Sequence, residues 1–479
     1  MLNSKLLDVL CGFSPKQLKW FDEFLRSPYF NKDHEVVTLY HFILKYSPRF
    51  SHADLEKEMV YQKAFKSKKT DEKKLGYLMS DLLWYLEQFI VIQRMENDPV
   101  RNNRTLMLHY IDEDLEKHFR GKMRETEQLQ QKNPYRDSDY FFNQFLIEST
   151  NNYFFDKQSK HVFNESLQQA IDNLDLYYLA LKLKYSCEMM NRKNVMTADY
   201  RLRLLDEILL YLKQNSFDHV PAISIYFKIL LTLTESENEN HFNDLKKLLA
   251  DHAAKFPQRE ARDMFAYAQN YCIKKINSGN PKYLEELFVL YKTSLDAEIL
   301  IEGKFLSPWT YKNIVGVALR VKEFEWTSKF INDYKERLSL EFRENAFRMN
   351  LAYYHFLKNE FSDALELLAH VEFTDLIYAL ETKTLLLRIY YELDEIEPLF
   401  SLIDSFKVYL RRNKLISDYQ LKVHLNLLKY VKKLIKLRKG EYEKSEELKN
   451  EILSVKQIAG LDWLLKKTEE KGKKKTAII

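Results

Sequence analysis

The chain has 479 residues, of which 46% are hydrophobic and 30% are charged, yet it contains only 9 glycines and 10 prolines. Sheet-rich and dinucleotide-binding folds need these two residue types at their turns, so their scarcity argues against an all-β or a Rossmann-type fold. The formal net charge of +4 is too close to neutral to indicate a partner for the chain as a whole.

The first 105 residues are predicted to form a small N-terminal helical domain. Ser14 followed by Pro15 is typical of a helix N-cap and first turn. Apolar residues recur three and four positions apart from Leu75 to Ile90, which predicts one long helix with a continuous apolar face. The segment LRSPYFN, residues 25–31, resembles the start of uncharacterised bacterial proteins, and this resemblance implies no activity.

Residues 106–307 are predicted to form pairs of helices with short connections. Prolines such as Pro221 and Pro257 fall between apolar-periodic segments, where they mark the ends of helices. The helix pairs recur along this region without small residues at fixed positions. We therefore treat 106–307 as degenerate helix-pair repeats.

Residues 308–455 carry a recurring pattern of large and small residues. In NLAYYHFLKNEFSDALELLAHV, which begins at Asn350, Ala364 lies 35 positions before Leu399 of the next segment. Thr327 and Ser445 take the same slot in the preceding and following segments. The pattern resembles the tetratricopeptide repeat (TPR), whose period is about 34 residues. The resemblance implies an all-α fold, an α-solenoid of TPR-like helix pairs that follows the N-terminal helical domain.

The resemblance also implies a concave groove, lined by the first helix of each pair, that receives an extended or helical peptide. The groove positions of the family correspond here to Trp309, Lys312, Asn313, Asn350, Tyr353, Phe356, Arg388 and Tyr391. Lys312 and Asn313 match half of the clamp by which some TPR proteins hold the C-terminal carboxylate of a peptide. Gly316 stands where the clamp has its second asparagine. The alternative is that these side chains pack against neighbouring repeats.

Motifs that carry chemistry are missing from the sequence. The 9 glycines are isolated, which excludes G-x-G-x-x-G, Walker A and G-x-S-x-G loops, and no two histidines form the H-E-x-x-H pair. We therefore expect no catalytic residues, no cofactor and no metal site. Cys11, Cys187 and Cys272 are far apart and are predicted to be core thiols in a reducing compartment. With no apolar stretch of about 18 residues, we expect a cytoplasmic protein that does not contact membranes.

The end of the chain is basic. Residues 407–479 contain 20 lysines and arginines against 9 acidic residues, and 456–479 are predicted to form a basic tail. Four lysines at helical spacing form a basic stripe: Lys422, Lys429, Lys433 and Lys436. The stripe is either a solvated helix face or a site for nucleic acid or another acidic partner.

The sequence thus predicts a non-catalytic scaffold or adaptor that binds a protein or peptide partner. Self-association through a terminal repeat stays open. The alternative is a nucleic-acid-binding or otherwise regulatory protein that uses the basic C-terminal region.

Overall fold

The computed structural model describes residues 4–67, 70–158, 163–195, 200–371, 376–438, 440–455 and 457–473. Over these ranges the chain forms twenty-three α-helices and one short β-hairpin, which confirms the predicted all-α fold. Contacts divide the chain into two compact units. The first contains Met1–Ser186 and Arg203–Ile223, and the second contains Cys187–Leu202 and Ser224–Ile479.

Ten helices fall wholly or largely in the first unit. They are α1 (Lys5–Cys11), α2 (Pro15–Arg26), α3 (His34–Leu44), α4 (Lys57–Phe65), α5 (Glu72–Glu96), α6 (Pro99–Asp112), α7 (Glu116–Lys132), α8 (Ser138–Lys157), α9 (Glu165–Val195) and α10 (Leu205–Gln214). Helix α2 begins as predicted, because the Ser14 hydroxyl accepts from the Gln17 N–H and the Gln17 side chain accepts from the Ser14 N–H. This reciprocal pair is a capping box.

Helix α5 organises the N-terminal core. Among the described residues it alone is long and apolar enough to cross a membrane by length and composition. Its predicted apolar face instead packs into a core with α1, α2 and α3, where Leu75, Leu82 and Leu86 are fully buried. The rest of the helix is more open, since 28% of its apolar window is buried and Tyr77, Trp84 and Val91 are exposed.

The second unit contains thirteen helices and the hairpin. They are α11 (Pro221–Thr234), α12 (Glu239–His252), α13 (Gln258–Asn277), α14 (Tyr283–Asp296), β1 (Ile301–Glu302), β2 (Phe305–Leu306), α15 (Pro308–Arg320), α16 (Phe324–Asp333), α17 (Arg343–Leu357), α18 (Phe361–Leu368), α19 (Leu376–Glu392), α20 (Ile396–Arg412), α21 (Asp418–Lys436), α22 (Tyr442–Ser454) and α23 (Leu461–Gly472). The two strands pair antiparallel. Successive helices contact one another from α13 through α21.

Three helix hairpins, α15/α16, α17/α18 and α19/α20, are joined by turns of one conformation. The second residue after the first helix is left-handed in each, with φ of 65° at Lys322, 62° at Asn359 and 59° at Asp394. A glutamate follows each of them, and its N–H donates to the carbonyl five residues earlier, at 2.9 to 3.0 Å. This is the Schellman arrangement, which satisfies carbonyls at the end of the first helix.

The four residues that share the small-residue slot in the sequence also occupy equivalent positions in the structure. Thr327, Ala364, Leu399 and Ser445 are each the fourth residue of the second helix of a pair. Each side chain is buried, with at most 1% of its surface exposed. A position that is buried in every pair excludes charged side chains, which is consistent with the recurring pattern.

Part of the predicted basic tail is folded. Residues 461–472 form α23, which contacts α21 and α22 and places Leu464 in the core of the second unit. The Trp463 indole N–H donates to Glu392 at 2.7 Å, and Lys467 pairs with the same carboxylate at 2.8 Å. The sequence analysis described this segment by its excess of lysines, so it did not identify the packed helix. Residues 456 and 474–479 lie outside the described residues.

The three cysteines are unpaired and differ in environment. Cys187 and Cys272 are buried, as predicted, and burial raises the pKa of both thiols, that of Cys272 to about 12. The prediction is wrong for Cys11, which is exposed. Cys11 is the last residue of α1, and its Sγ lies at the surface, 3.8 Å from the Arg49 carbonyl oxygen.

Candidate functional site

A cavity of about 520 Å³ lies in the second unit, lined mainly by the first helices of three hairpins, α15, α17 and α19. Five of the eight predicted groove residues line it. They are Lys312, Asn313, Asn350, Tyr353 and Arg388. Three separate segments of the chain therefore bring these side chains to one place, and apolar residues of α13 and α14 close one end.

The other three predicted groove residues lie elsewhere. Phe356 lines a neighbouring depression of about 550 Å³ that shares Tyr353 and Arg388 with the cavity. Trp309 packs on Tyr378, with ring centroids 5.3 Å apart. Tyr391 meets Trp463 of α23 edge to face at 5.2 Å. Trp309 and Tyr391 thus pack against other side chains of the protein, which is the alternative to a role in the groove.

Glu381 and Thr384 of α19, which the sequence analysis did not single out, also line the cavity beside the predicted Arg388. Glu381, Thr384 and Arg388 follow one another at steps of three and four, so they share one face of the helix. The helical spacing that Glu381 and Thr384 share with Arg388 was the signal available in the sequence. The Lys312 ammonium pairs with the Glu381 carboxylate, which ties α15 to α19 across the cavity.

Arg388 and Thr384 have unsatisfied polar atoms in this wall. The Nε of Arg388 and the Oγ1 of Thr384 are buried and have no hydrogen-bond partner. In the described part of the chain no carboxylate forms a salt bridge with Arg388, whose guanidinium lies 5.9 Å from the centroid of the Trp463 ring. Burial lowers the pKa of the Arg388 guanidinium. Leaving such groups without a partner costs about 1 to 3 kcal/mol each.

Gly460 fixes the position of the Arg388 side chain. It is left-handed, with φ of 66°, and a β-carbon at this position would overlap the guanidinium, lying 2.8 Å from its Cζ. The neighbouring Ala459 N–H donates to the Val423 carbonyl at 3.3 Å, which holds the segment against α21. Only glycine lets the backbone come this close to the arginine.

The cavity has an excess of positive charge. Lys312, Arg320 and Arg388 line it, against Glu381 as the lining carboxylate. His424 adds no charge near neutral pH, because burial lowers the pKa of its imidazole, whose Nδ1–H donates to the Gln420 carbonyl at 2.8 Å. Charges in a recess with low-dielectric walls act more strongly than charges on an open surface, so the cavity favours an anionic group.

One cluster has the residue types of a metal site. His355, Glu360 and Asp363 place ligand atoms within 4.8 Å of one another at the α17/α18 turn. The Glu360 carboxylate already accepts from the Lys358 ammonium at 2.6 Å and pairs with His355 Nδ1 at 2.7 Å. These contacts hold the pKa of Glu360 below its usual value. The cluster is explained by ion pairing within the turn.

The basic stripe lies on α21 and is partly compensated. The Nζ atoms of Lys429 and Lys433 lie 3.1 and 2.5 Å from the Glu451 carboxylate of α22. Lys422 and Lys436 are exposed on the same helix, about 21 Å apart along its axis. The single carboxylate therefore offsets one of the two positive charges in the middle of the stripe.

No protein-family model, no curated protein and no solved structure matches this chain. Its function is argued below from the cavity and the residues that line it.

Proposed function

We propose that the protein is a non-catalytic interaction scaffold that binds a peptide segment of a partner in the cavity between α15, α17 and α19. The observation that carries the proposal is the convergence of five side chains, from three successive helix hairpins, on one recess. In this proposal the hairpins belong to an α-solenoid of TPR-like helix pairs. The shared turn conformation and the equivalent buried slots support that arrangement.

The lining suits a peptide. Met349, Tyr353 and Leu385 offer apolar walls for a side chain, while the amides of Asn313 and Asn350 offer polar contacts to a backbone. The Asn350 Nδ2 already donates to the Ala346 carbonyl at 2.7 Å, which orients its amide. A few well-placed polar groups among apolar walls are typical of recognition sites.

The bound segment is expected to be acidic. The cavity is cationic overall, and Arg388 and Thr384 present unpartnered polar atoms there. A carboxylate of the ligand would satisfy both and would relieve the cost of burying the guanidinium. The three unpaired cysteines support a reducing compartment, so we place the protein in the cytoplasm.

The proposal is tested by filling the cavity. A β-carbon at Gly316 would meet no heavy atom within 4 Å, so Gly316→Phe places a ring in the cavity without a clash at the backbone. Gly121→Phe is the matched control, because Gly121 is also helical, has the same free space and lies on the exposed face of α7. Both changes replace a helical glycine, so both are expected to keep the fold.

The full-length protein is used to select peptides from a phage-displayed random library, and their affinities are measured by fluorescence anisotropy. We expect enriched peptides that carry Asp or Glu and bind wild type and Gly121→Phe equally. Gly316→Phe is expected to weaken them at least about 10-fold, equivalent to about 1.4 kcal/mol. If no peptide is enriched, or if Gly316→Phe binds as tightly as wild type, the proposal is wrong.

A further inference from the structure

The cavity and the neighbouring depression share three of their lining side chains. These are Arg320, the last residue of α15, Tyr353 of α17 and Arg388 of α19. Burial raises the pKa of Tyr353, and the charges of Arg388 and Arg320 oppose that rise, so both guanidiniums lie near its hydroxyl. Two cationic side chains therefore accompany one hydroxyl at the junction of the two recesses.

The carboxylates that line the two recesses are mostly paired with other groups. Glu381 pairs with Lys312 of α15, and Glu392 pairs with Lys467 of α23. The third lining carboxylate, Asp462, is exposed and forms no salt bridge within the described residues. One unpaired carboxylate against two arginines leaves an excess of positive charge at the junction.

The first turn of α23 adds positive potential at the same place. Gly460 precedes this helix and has no side chain to cap it, and Leu461, Asp462 and Trp463 line the depression. The first N–H groups of a helix have no acceptor within it and carry partial positive charge. The Arg388 guanidinium lies against Gly460. A guanidinium and a helix N-terminus thus converge, an arrangement that suits an anion.

Buried polar atoms without partners point to the same ligand chemistry. The Arg388 Nε and the Thr384 Oγ1 are buried and make no hydrogen bond. Thr384 is only 8% exposed and lies one turn before Arg388 on α19, so both side chains face the cavity. A ligand group with several acceptor oxygens would satisfy both atoms at once.

We infer that the bound segment carries a phosphorylated side chain, and that its phosphate group lies between Arg388 and Arg320 at the junction of the two recesses. This inference rests on the proposed function. A phosphate monoester has about −1.5 to −2 charges at neutral pH and three acceptor oxygens, which match two guanidiniums. A carboxylate has one charge and two oxygens, which match one guanidinium. The cavity and the depression take the residues on either side of the phosphorylated one.

The first test compares three degenerate peptide mixtures that differ only at a fixed central position, which is phosphoserine, glutamate or serine. Their affinities for the full-length protein are measured by fluorescence anisotropy. The phosphoserine mixture is expected to bind at least about 10-fold more tightly than either of the others. Equal affinity for phosphoserine and glutamate overturns this inference and leaves the proposed function standing. Binding of none of the three mixtures overturns both.

The second test removes each guanidinium in turn. Arg388→Gln and Arg320→Gln are each expected to weaken binding of the phosphoserine mixture at least about 10-fold. Arg411→Gln is the matched control, because Arg411 is exposed on α20 of the same unit and lines neither recess. Arg320 is exposed as well, so its replacement leaves the core intact. A phosphoserine affinity that survives both arginine changes overturns the inference.

The third test asks for a gain in affinity, which a purely structural role of the arginines does not produce. Asp462→Asn removes the unpaired carboxylate beside Arg388 and is expected to tighten binding of the phosphoserine mixture about 3-fold, with no change for the serine mixture. Circular dichroism shows that each variant is folded. Equal effects of Asp462→Asn on the two mixtures would contradict a phosphate group at this position.

Discussion

Gly460→Ala is expected to destabilise the second unit more than an ordinary left-handed glycine substitution, to the extent that the buried Arg388 side chain is unable to move aside. Alanine at φ of 66° costs about 1 to 2 kcal/mol. Its β-carbon would also overlap the Arg388 guanidinium, and forcing atoms into an occupied space costs about 1 to 3 kcal/mol more. The total of about 2 to 5 kcal/mol corresponds to a fall in Tm of roughly 4 to 10 °C for a unit of this size.

Gly303→Ala is the control. Gly303 has nearly the same φ, 63°, but free space in place of a neighbour, so only the backbone cost applies. The Tm of both variants is measured by differential scanning calorimetry of the full-length protein, in the wild-type background and in an Arg388→Ala background. The extra loss at Gly460 should disappear once Arg388 is removed. Equal losses for the two glycines, or an extra loss that persists without Arg388, would refute the close contact.

Two further predictions concern titratable groups. Because burial lowers the pKa of His424, the folded state binds its proton less readily than the unfolded state. The contribution of His424 to the free energy of unfolding is therefore fully present above about pH 6.5 and is lost as the pH falls below that value. His424→Gln removes this titration, so it should give a flatter plot of Tm against pH. Glu451, whose pKa is lowered by hydrogen bonds from Lys433 and Lys429, offsets part of the charge of the basic stripe. Glu451→Gln should change stability by less than about 1 kcal/mol and increase retention of single-stranded DNA in a low-salt mobility-shift assay; unchanged retention would contradict this account.

Local features of the fold were predictable from the sequence because local interactions produce them. The capping box at Ser14 and the apolar face of α5 need no information from distant residues. The β-hairpin was missed because strands of two residues, such as Ile301–Glu302, are too short to show alternation. Helix α23 was missed because the packing of Leu464 depends on residues of earlier helices.

For the candidate site, too, the sequence predicted some residues correctly and missed those that depend on tertiary contacts. The resemblance to the tetratricopeptide repeat placed Tyr353 and Arg388 in a shared groove, and both line the cavity. Tyr391 lies three positions after Arg388, so it is rotated by about 60° around the helix and meets Trp463 instead. That partner lies far along the chain, and no local pattern indicates it. Whether the polar atoms of Thr384 are satisfied also depends on tertiary neighbours, which a sequence alone does not provide.

The three cysteines differ in exposure, so thiol labelling of the native protein reports on opening of the fold. At neutral pH a thiol-specific dye should attach to the exposed Cys11 alone, because burial shields Cys187 and Cys272 and keeps them protonated. Both buried thiols belong to the second unit, whereas Cys11 belongs to the first. The rate at which the dye reacts with Cys187 and Cys272 therefore measures the opening of the second unit, and no cysteine has to be introduced.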